Sequence, residues 1–183
     1  MSKLLYIFLL TCSFAFGQRI NFHREDVTCR LDGEYLRVEG YYWFSNESNV
    51  AVRSEIYYPF PHDSGGLVDS MKVYNLTRGQ ETFIGVEKFG LSFFVDIEPS
   101  DTSLFQIKYR QRLNSDSAVY ILKTTKSWGK PLDVAEFKLM VPDSLKIKHF
   151  TYPPDQLYKI EKLCIYLWKR QCFMPDRNLV FYF

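Results

Sequence analysis

Apolar and polar positions alternate along most of this chain. Leu36, Val38, Gly40, Tyr42 and Phe44 fall on one side of a run, and Tyr35, Arg37, Glu39, Tyr41 and Trp43 on the other. The next run sets Val50, Val52, Ser54, Ile56, Tyr58 and Phe60 against Ala51, Arg53, Glu55 and Tyr57. Leu91, Phe93, Val95 and Ile97 alternate with Ser92, Phe94, Asp96 and Glu98, and Phe105, Ile107 and Tyr109 with Gln106, Lys108 and Arg110. A period of two with the charges on one side marks a half-buried strand.

Turn chemistry separates the runs. Asp32-Gly33 before Tyr35 is a two-residue hairpin signal, because both central positions of such a turn favour positive φ. Ser45-Asn46-Glu47, the stretch from Pro61 to Gly66, Arg78-Gly79-Gln80, Pro99-Ser100-Asp101, Asn114-Ser115-Asp116 and Pro142-Asp143-Ser144 follow. Strands at this spacing, with little or no helix after the leader, predict an all-β fold, a mainly antiparallel β-sandwich. If 34–44 and 48–60 form a hairpin, opposite charges face each other when Arg37 lies across from Glu55 and Glu39 across from Arg53. That register is the expectation. Residues 154–173 fit a buried strand through Cys164, Tyr166 and Trp168, and a helix through Leu157, Ile160 and Leu163; the strand is preferred. Residues 178–183 form the closing strand.

Composition agrees. The chain holds 13 Tyr and 16 Phe, whereas Ala recurs after the leader only at Ala51, Ala118 and Ala135, favouring pleated surfaces over helices. A net charge of +2 supplies no global pull towards nucleic acid or an anionic membrane. No apolar run after the leader is long enough for a transmembrane helix.

The first residues read differently. Lys3, the apolar run Leu4–Leu10 and Ala15-Phe16-Gly17 make a secretory signal peptide, residues 1–17, cleaved near Gly17. Residues 18–183 then form one domain in an extracytoplasmic setting: periplasm, cell surface or medium. Leu10-Thr11-Cys12 departs from the usual lipobox. Cys29, Cys164 and Cys172 remain, so at most one internal bridge forms. Cys164 and Cys172 on one strand would lie roughly 26 Å apart, at about 3.3 Å per residue, too far to bridge unless the chain turns back between them. Three reduced thiols are the plain alternative.

No catalytic motif is present. His62-Asp63-Ser64 places triad residue types in a row, where they cannot converge, and reads as a polar turn. Asp32, Glu34, Glu39, Glu55, Asp96, Glu98 and Glu136 are available for a glycosidase pair, with a solvated face as their default reading. No metal-ligand spacing and no cofactor motif occurs. Two surface features stand out as binding candidates. Tyr41, Trp43 and Tyr57 point from the polar face of the expected hairpin, as aromatic platforms for a sugar or protein do. Lys108, Arg110 and Arg112 are spaced by two on one strand face, suited to an anionic glycan or headgroup, or to protection of a sheet edge. Asn46-Glu47-Ser48 and Asn75-Leu76-Thr77 are glycosylation sequons. Asp69-Ser70-Met71, Asp116-Ser117-Ala118 and Asp143-Ser144-Leu145 look like bacterial O-glycosylation acceptors and are equally good turns.

Three stretches carry a resemblance. They are Tyr58-Pro59-Phe60-Pro61, the segment from Tyr109-Arg110-Gln111 through Thr124 to Trp128-Gly129-Lys130-Pro131-Leu132, and Trp168 to Pro175. They are similar to a family of secreted bacterial β-sandwich proteins known only as a domain of unknown function. The resemblance implies a fold and a compartment, with no catalytic residue to transfer. The expectation is therefore an exported, non-enzymatic β-sandwich that binds an unknown protein or glycan. Its alternatives are a small outer-membrane β-barrel, whose terminal aromatic signal Leu179–Phe183 resembles, and a glycan-binding or glycan-active protein.

Overall fold

A computed structural model describes residues 20–61 and 68–183. The proposed leader and His62-Asp63-Ser64 lie outside the described residues. The alternating runs all become strands. In chain order these are β1 (Ile20–Asp32), β2 (Tyr35–Asn46), β3 (Val52–Pro59), β4 (Val68–Asn75), β5 (Gln80–Glu81), β6 (Gly85–Glu87) and β7 (Gly90–Ile97). They continue as β8 (Thr102–Arg112), β9 (Ser117–Tyr120), β10 (Leu132–Pro142), β11 (His149–Phe150), β12 (Gln156–Ile160), β13 (Leu163–Phe173) and β14 (Leu179–Tyr182). Among the described residues the one helix is a 3-10 turn, Lys123–Trp128. The fold is all-β, as the periodicity requires.

Eight strands form a main sheet in the order β12-β13-β10-β1-β2-β8-β4-β5, and two three-stranded sheets run β3-β7-β6 and β11-β14-β9. Every ladder is antiparallel except β1 with β10. The small sheets cover different halves of one face of the main sheet. Phe93 of β7 packs on Phe105 of β8, with ring centres 5.3 Å apart. Phe150 of β11 packs on Trp168 of β13 at 5.4 Å, and Tyr120 of β9 on Phe137 of β10 at 6.0 Å. The apolar sides read from sequence on β2, β3, β7 and β8 are the buried ones.

The expected hairpin of 34–44 with 48–60 does not form. β2 pairs with β1 and β8, whereas β3 pairs with β7 in another sheet. The reason is the corner at Asn46. Its buried amide donates to the carbonyls of Val50, Ile97 and Glu98, and its oxygen accepts from the Ser48 backbone and hydroxyl. These bonds carry the chain across to the second layer instead of back alongside β2. The charges find other partners: Glu39 pairs with Lys108 at 3.2 Å, and Arg53 with Asp96 at 3.6 Å. Arg37 faces Arg110 across the ladder and is balanced by Asp32 at 3.1 Å. Both sequon asparagines are consumed structurally, since Asn75 is also buried and accepts from the Arg78 backbone.

The first hairpin forms one residue later than Asp32-Gly33 suggests. Asp32 pairs with Tyr35, the loop is Gly33-Glu34, and only Gly33 has positive φ, +59°. Pro59 ends β3 at a sheet edge, where its missing N–H costs no ladder bond. Residues 156–160 and 163–173 are strands, as preferred over a helix, but a turn at 161–162 makes them a hairpin of two, and β12 is exposed throughout where one buried strand was expected. Because β13 is continuous, Cys164 and Cys172 stay far apart. All three described cysteines are free, two buried and Cys172 exposed.

The described strands close no barrel: the main sheet ends at β12 and β5. Its outer face carries Arg37, Glu39, Lys108 and Arg110, where a membrane barrel needs an apolar band. The barrel alternative is set aside on this topology. No described helix is long and apolar enough to cross a membrane.

Candidate functional site

A cavity of about 420 Å³ lies where the two small sheets meet over the main sheet. The 3-10 helix and the strand end before it form one wall. Ile56, Phe93 and Ile107 supply apolar surface, and Phe22, Phe44 and Trp128 an aromatic side. Trp128 stands 5.6 Å from Phe22 and 5.7 Å from Phe44, ring centre to ring centre. Gly129, at φ +73°, ends the helix and lets the chain leave towards β10.

The polar part of the cavity is a relay of four side chains, with Glu25, Tyr42 and Tyr120 buried and Tyr58 half-buried. The Tyr120 hydroxyl donates to Glu25 Oε2 at 3.0 Å. Tyr42 bonds Tyr120 at 3.0 Å and Tyr58 at 2.8 Å. Because the Tyr120 hydroxyl donates its hydrogen bond to Glu25, the consistent direction of donation is Tyr58 to Tyr42 to Tyr120 to Glu25. Glu25 Oε1 is buried and has no hydrogen-bond partner among the described residues. Burial pushes the Glu25 carboxyl up to about 8, opposed in part by the Tyr120 hydrogen bond. Glu25 is therefore mostly protonated at neutral pH. Burial and the neighbouring Glu25 hold Tyr42 and Tyr120 well above the usual phenol range, so both remain donors.

A β-bulge puts Glu25 there. Phe22 pairs with Phe44, but Arg24 pairs with Trp43, so β1 gains a residue between them. Ile20 and Phe22 point inward on even positions; after the bulge Glu25, Val27, Cys29 and Leu31 point inward on odd ones. Without the extra residue the inward position would fall to Arg24. Instead the Arg24 guanidinium lies outside over the Trp43 ring, 4.6 Å from its centre.

Of the binding candidates singled out from sequence, Tyr57 alone lines the cavity. Tyr41 and Trp43 share the outer face of β2, and the Tyr41 hydroxyl donates to Glu39 at 3.0 Å. Tyr57 is in the other sheet, at the cavity mouth, with its hydroxyl on the Phe89 carbonyl at 2.8 Å. The three do not form one platform, because β2 and β3 are in different layers. Lys108, Arg110 and Arg112 do share a face, yet each is matched by a carboxylate. Lys108 meets Glu39, Arg110 grips Asp69 with two bonds of 2.7 Å, and Arg112 reaches Glu34 at 3.2 Å. β8 lies between β2 and β4, so the stripe does not guard an edge. Of the cavity residues, Glu25, Tyr42, Tyr58 and Tyr120 were not picked out as a site. The available signal was polarity in phase with apolar positions: a carboxylate in step with Val27, Cys29 and Leu31, and tyrosines on the apolar sides of their strands.

No protein-family model and no curated protein matches the sequence. Solved structures do match in fold. One is a "putative nutrient binding protein" from Legionella pneumophila, 14% identical, with TM-score 0.68 over 89% of this chain and 67% of the other. Another is an M1 zinc metallopeptidase from Deinococcus radiodurans, 12% identical, with TM-score 0.55 over 90% of this chain. The present chain spans only 42% of that enzyme. At these identities the likeness establishes the all-β architecture alone.

Proposed function

We propose that this chain is an exported, non-enzymatic binding module whose cavity takes a small ligand with an apolar body and one polar end. The observation that carries the reading is Glu25: a buried carboxyl with an oxygen lacking a hydrogen-bond partner among the described residues, set in a mainly aromatic and aliphatic hollow. A buried polar group without a partner costs about 1–3 kcal/mol, which a ligand group bonded to it would recover. The volume falls in the range of small-molecule sites. The description of the Legionella neighbour as a nutrient binding protein agrees with this reading. Cleavage near Gly17 and export complete it.

The test is calorimetric titration of the folded chain with a panel of small aromatic and aliphatic alcohols and amines. Saturable one-site binding is expected, abolished by Ser54→Trp, which puts a large ring on the cavity lining. Absence of saturable binding across the panel overturns the reading.

A further inference from the structure

Resting on the cavity reading above, we infer that the ligand is a protonated amine with an apolar body, held by Glu25 at the floor and admitted past Glu55 at the rim. The charge of the lining points one way. Its ionisable residues among those described are glutamates and tyrosines, with no Lys, Arg or His. An anionic ligand would meet Glu25 and Glu55 with nothing to balance it. A neutral ligand fits the walls but leaves Glu55 without a role. An ammonium suits both carboxylates, and the faces of Phe22, Phe44 and Trp128 attract a cation through the ring quadrupole. The tyrosine relay is already committed: Tyr120 donates to Oε2, leaving Oε1 to accept from the ligand.

The proton balance follows. Free Glu25 carries a proton; an ammonium bound against it requires the carboxylate. The Glu25 O–H bond breaks, its electron pair stays on the oxygen, and the proton passes to buffer. The ammonium keeps its three hydrogens and donates one of them to Oε1. Binding should therefore release close to one proton at pH 6.5 and almost none at pH 9.

Three probes of similar shape decide the matter: phenethylamine, 2-phenylethanol and phenylacetate. Each is titrated calorimetrically in two buffers of different ionisation enthalpy. The expected result is that phenethylamine binds at least tenfold tighter than 2-phenylethanol, releases about one proton at pH 6.5, and that phenylacetate does not bind. Glu25→Gln preserves shape and one carbonyl acceptor. It should bring phenethylamine down to the affinity of 2-phenylethanol and abolish the proton release. Equal binding of amine and alcohol, or an amine preference that survives Glu25→Gln, overturns the amine assignment and leaves the cavity reading standing. Failure of all three probes overturns both.

Discussion

The ring of Tyr42 lies directly over the backbone of Gly40. A β-carbon built on Gly40 would fall 2.5–2.6 Å from the Tyr42 ring and closer still to its hydroxyl. Two residues apart on β2, the pair share the inner face, and the missing side chain of one makes room for the other. The tyrosine hydroxyl can then reach both Tyr58 and Tyr120. Gly40→Ala should displace Tyr42 and destabilise the fold by about 1–3 kcal/mol, the usual cost of overpacking. Tyr42→Phe removes the hydroxyl without a clash and should cost about 1–2 kcal/mol. Urea denaturation of both variants checks the order; an alanine tolerated as well as the phenylalanine would contradict it.

Glu25 gives stability a pH dependence of defined sign. Its folded value is raised, so the folded state holds a proton that the unfolded chain has lost. Stability from this group is greatest below its ordinary value of 4.5 and declines as pH rises to about 8, where it levels off. The decline is on the order of a few kcal/mol. Glu25→Gln should flatten the profile across that window and make the variant the more stable form at pH 9. Denaturation midpoints at pH 5, 7 and 9 for both chains measure it.

The three thiols should react in a fixed order. Cys172 is exposed at the end of β13, whereas Cys29 and Cys164 are buried. Burial, reinforced by Glu25, pushes the Cys29 thiol up to about 12, leaving almost no thiolate. Among Cys29, Cys164 and Cys172, brief maleimide treatment of the native chain should modify Cys172 alone, and the other two only after unfolding, as read by mass spectrometry of peptides. Early labelling of Cys29 would show that the floor of β1 opens readily.

Asn46 should be among the most sensitive polar positions. Asn46→Ala leaves the carbonyls of Ile97 and Glu98 without this donor and frees the corner that sends β3 to its own sheet. A loss of about 2–3 kcal/mol is expected. Asn46→Asp should lose nearly as much, since it keeps the acceptor for Ser48 but has no amide to donate. Thermal unfolding of the two variants makes the comparison.

The strands were legible because their faces are. Val95 is buried and Phe94 exposed for the reason the alternation gives, and the same logic recovered the closing strand and most of β13. Pairing was not legible. Charge matching favoured Arg37 with Glu55, yet such pairs contribute only about 0.2–1 kcal/mol, and Lys108 offers Glu39 an equivalent partner. The bonds at Asn46 decide the matter, and nothing in the residue type distinguishes such a corner from an ordinary turn. The cavity was hidden for a related reason. Glu25 reads as inward only if the bulge before Arg24 is known, and the outward aromatics drew attention because period two places them in solvent.

The parallel ladder of β1 with β10 has a consequence for how the chain reaches its native state. Arg24 aligns with Val134 and Arg30 with Met140, so a strand at the start is completed by one more than a hundred residues later. Until residues 132–142 have been made, one whole edge of β1 presents unpaired N–H and C=O groups, a template for association with other chains. Closing so long a loop also slows the search for this pairing, towards the millisecond-to-second range typical of β-topologies.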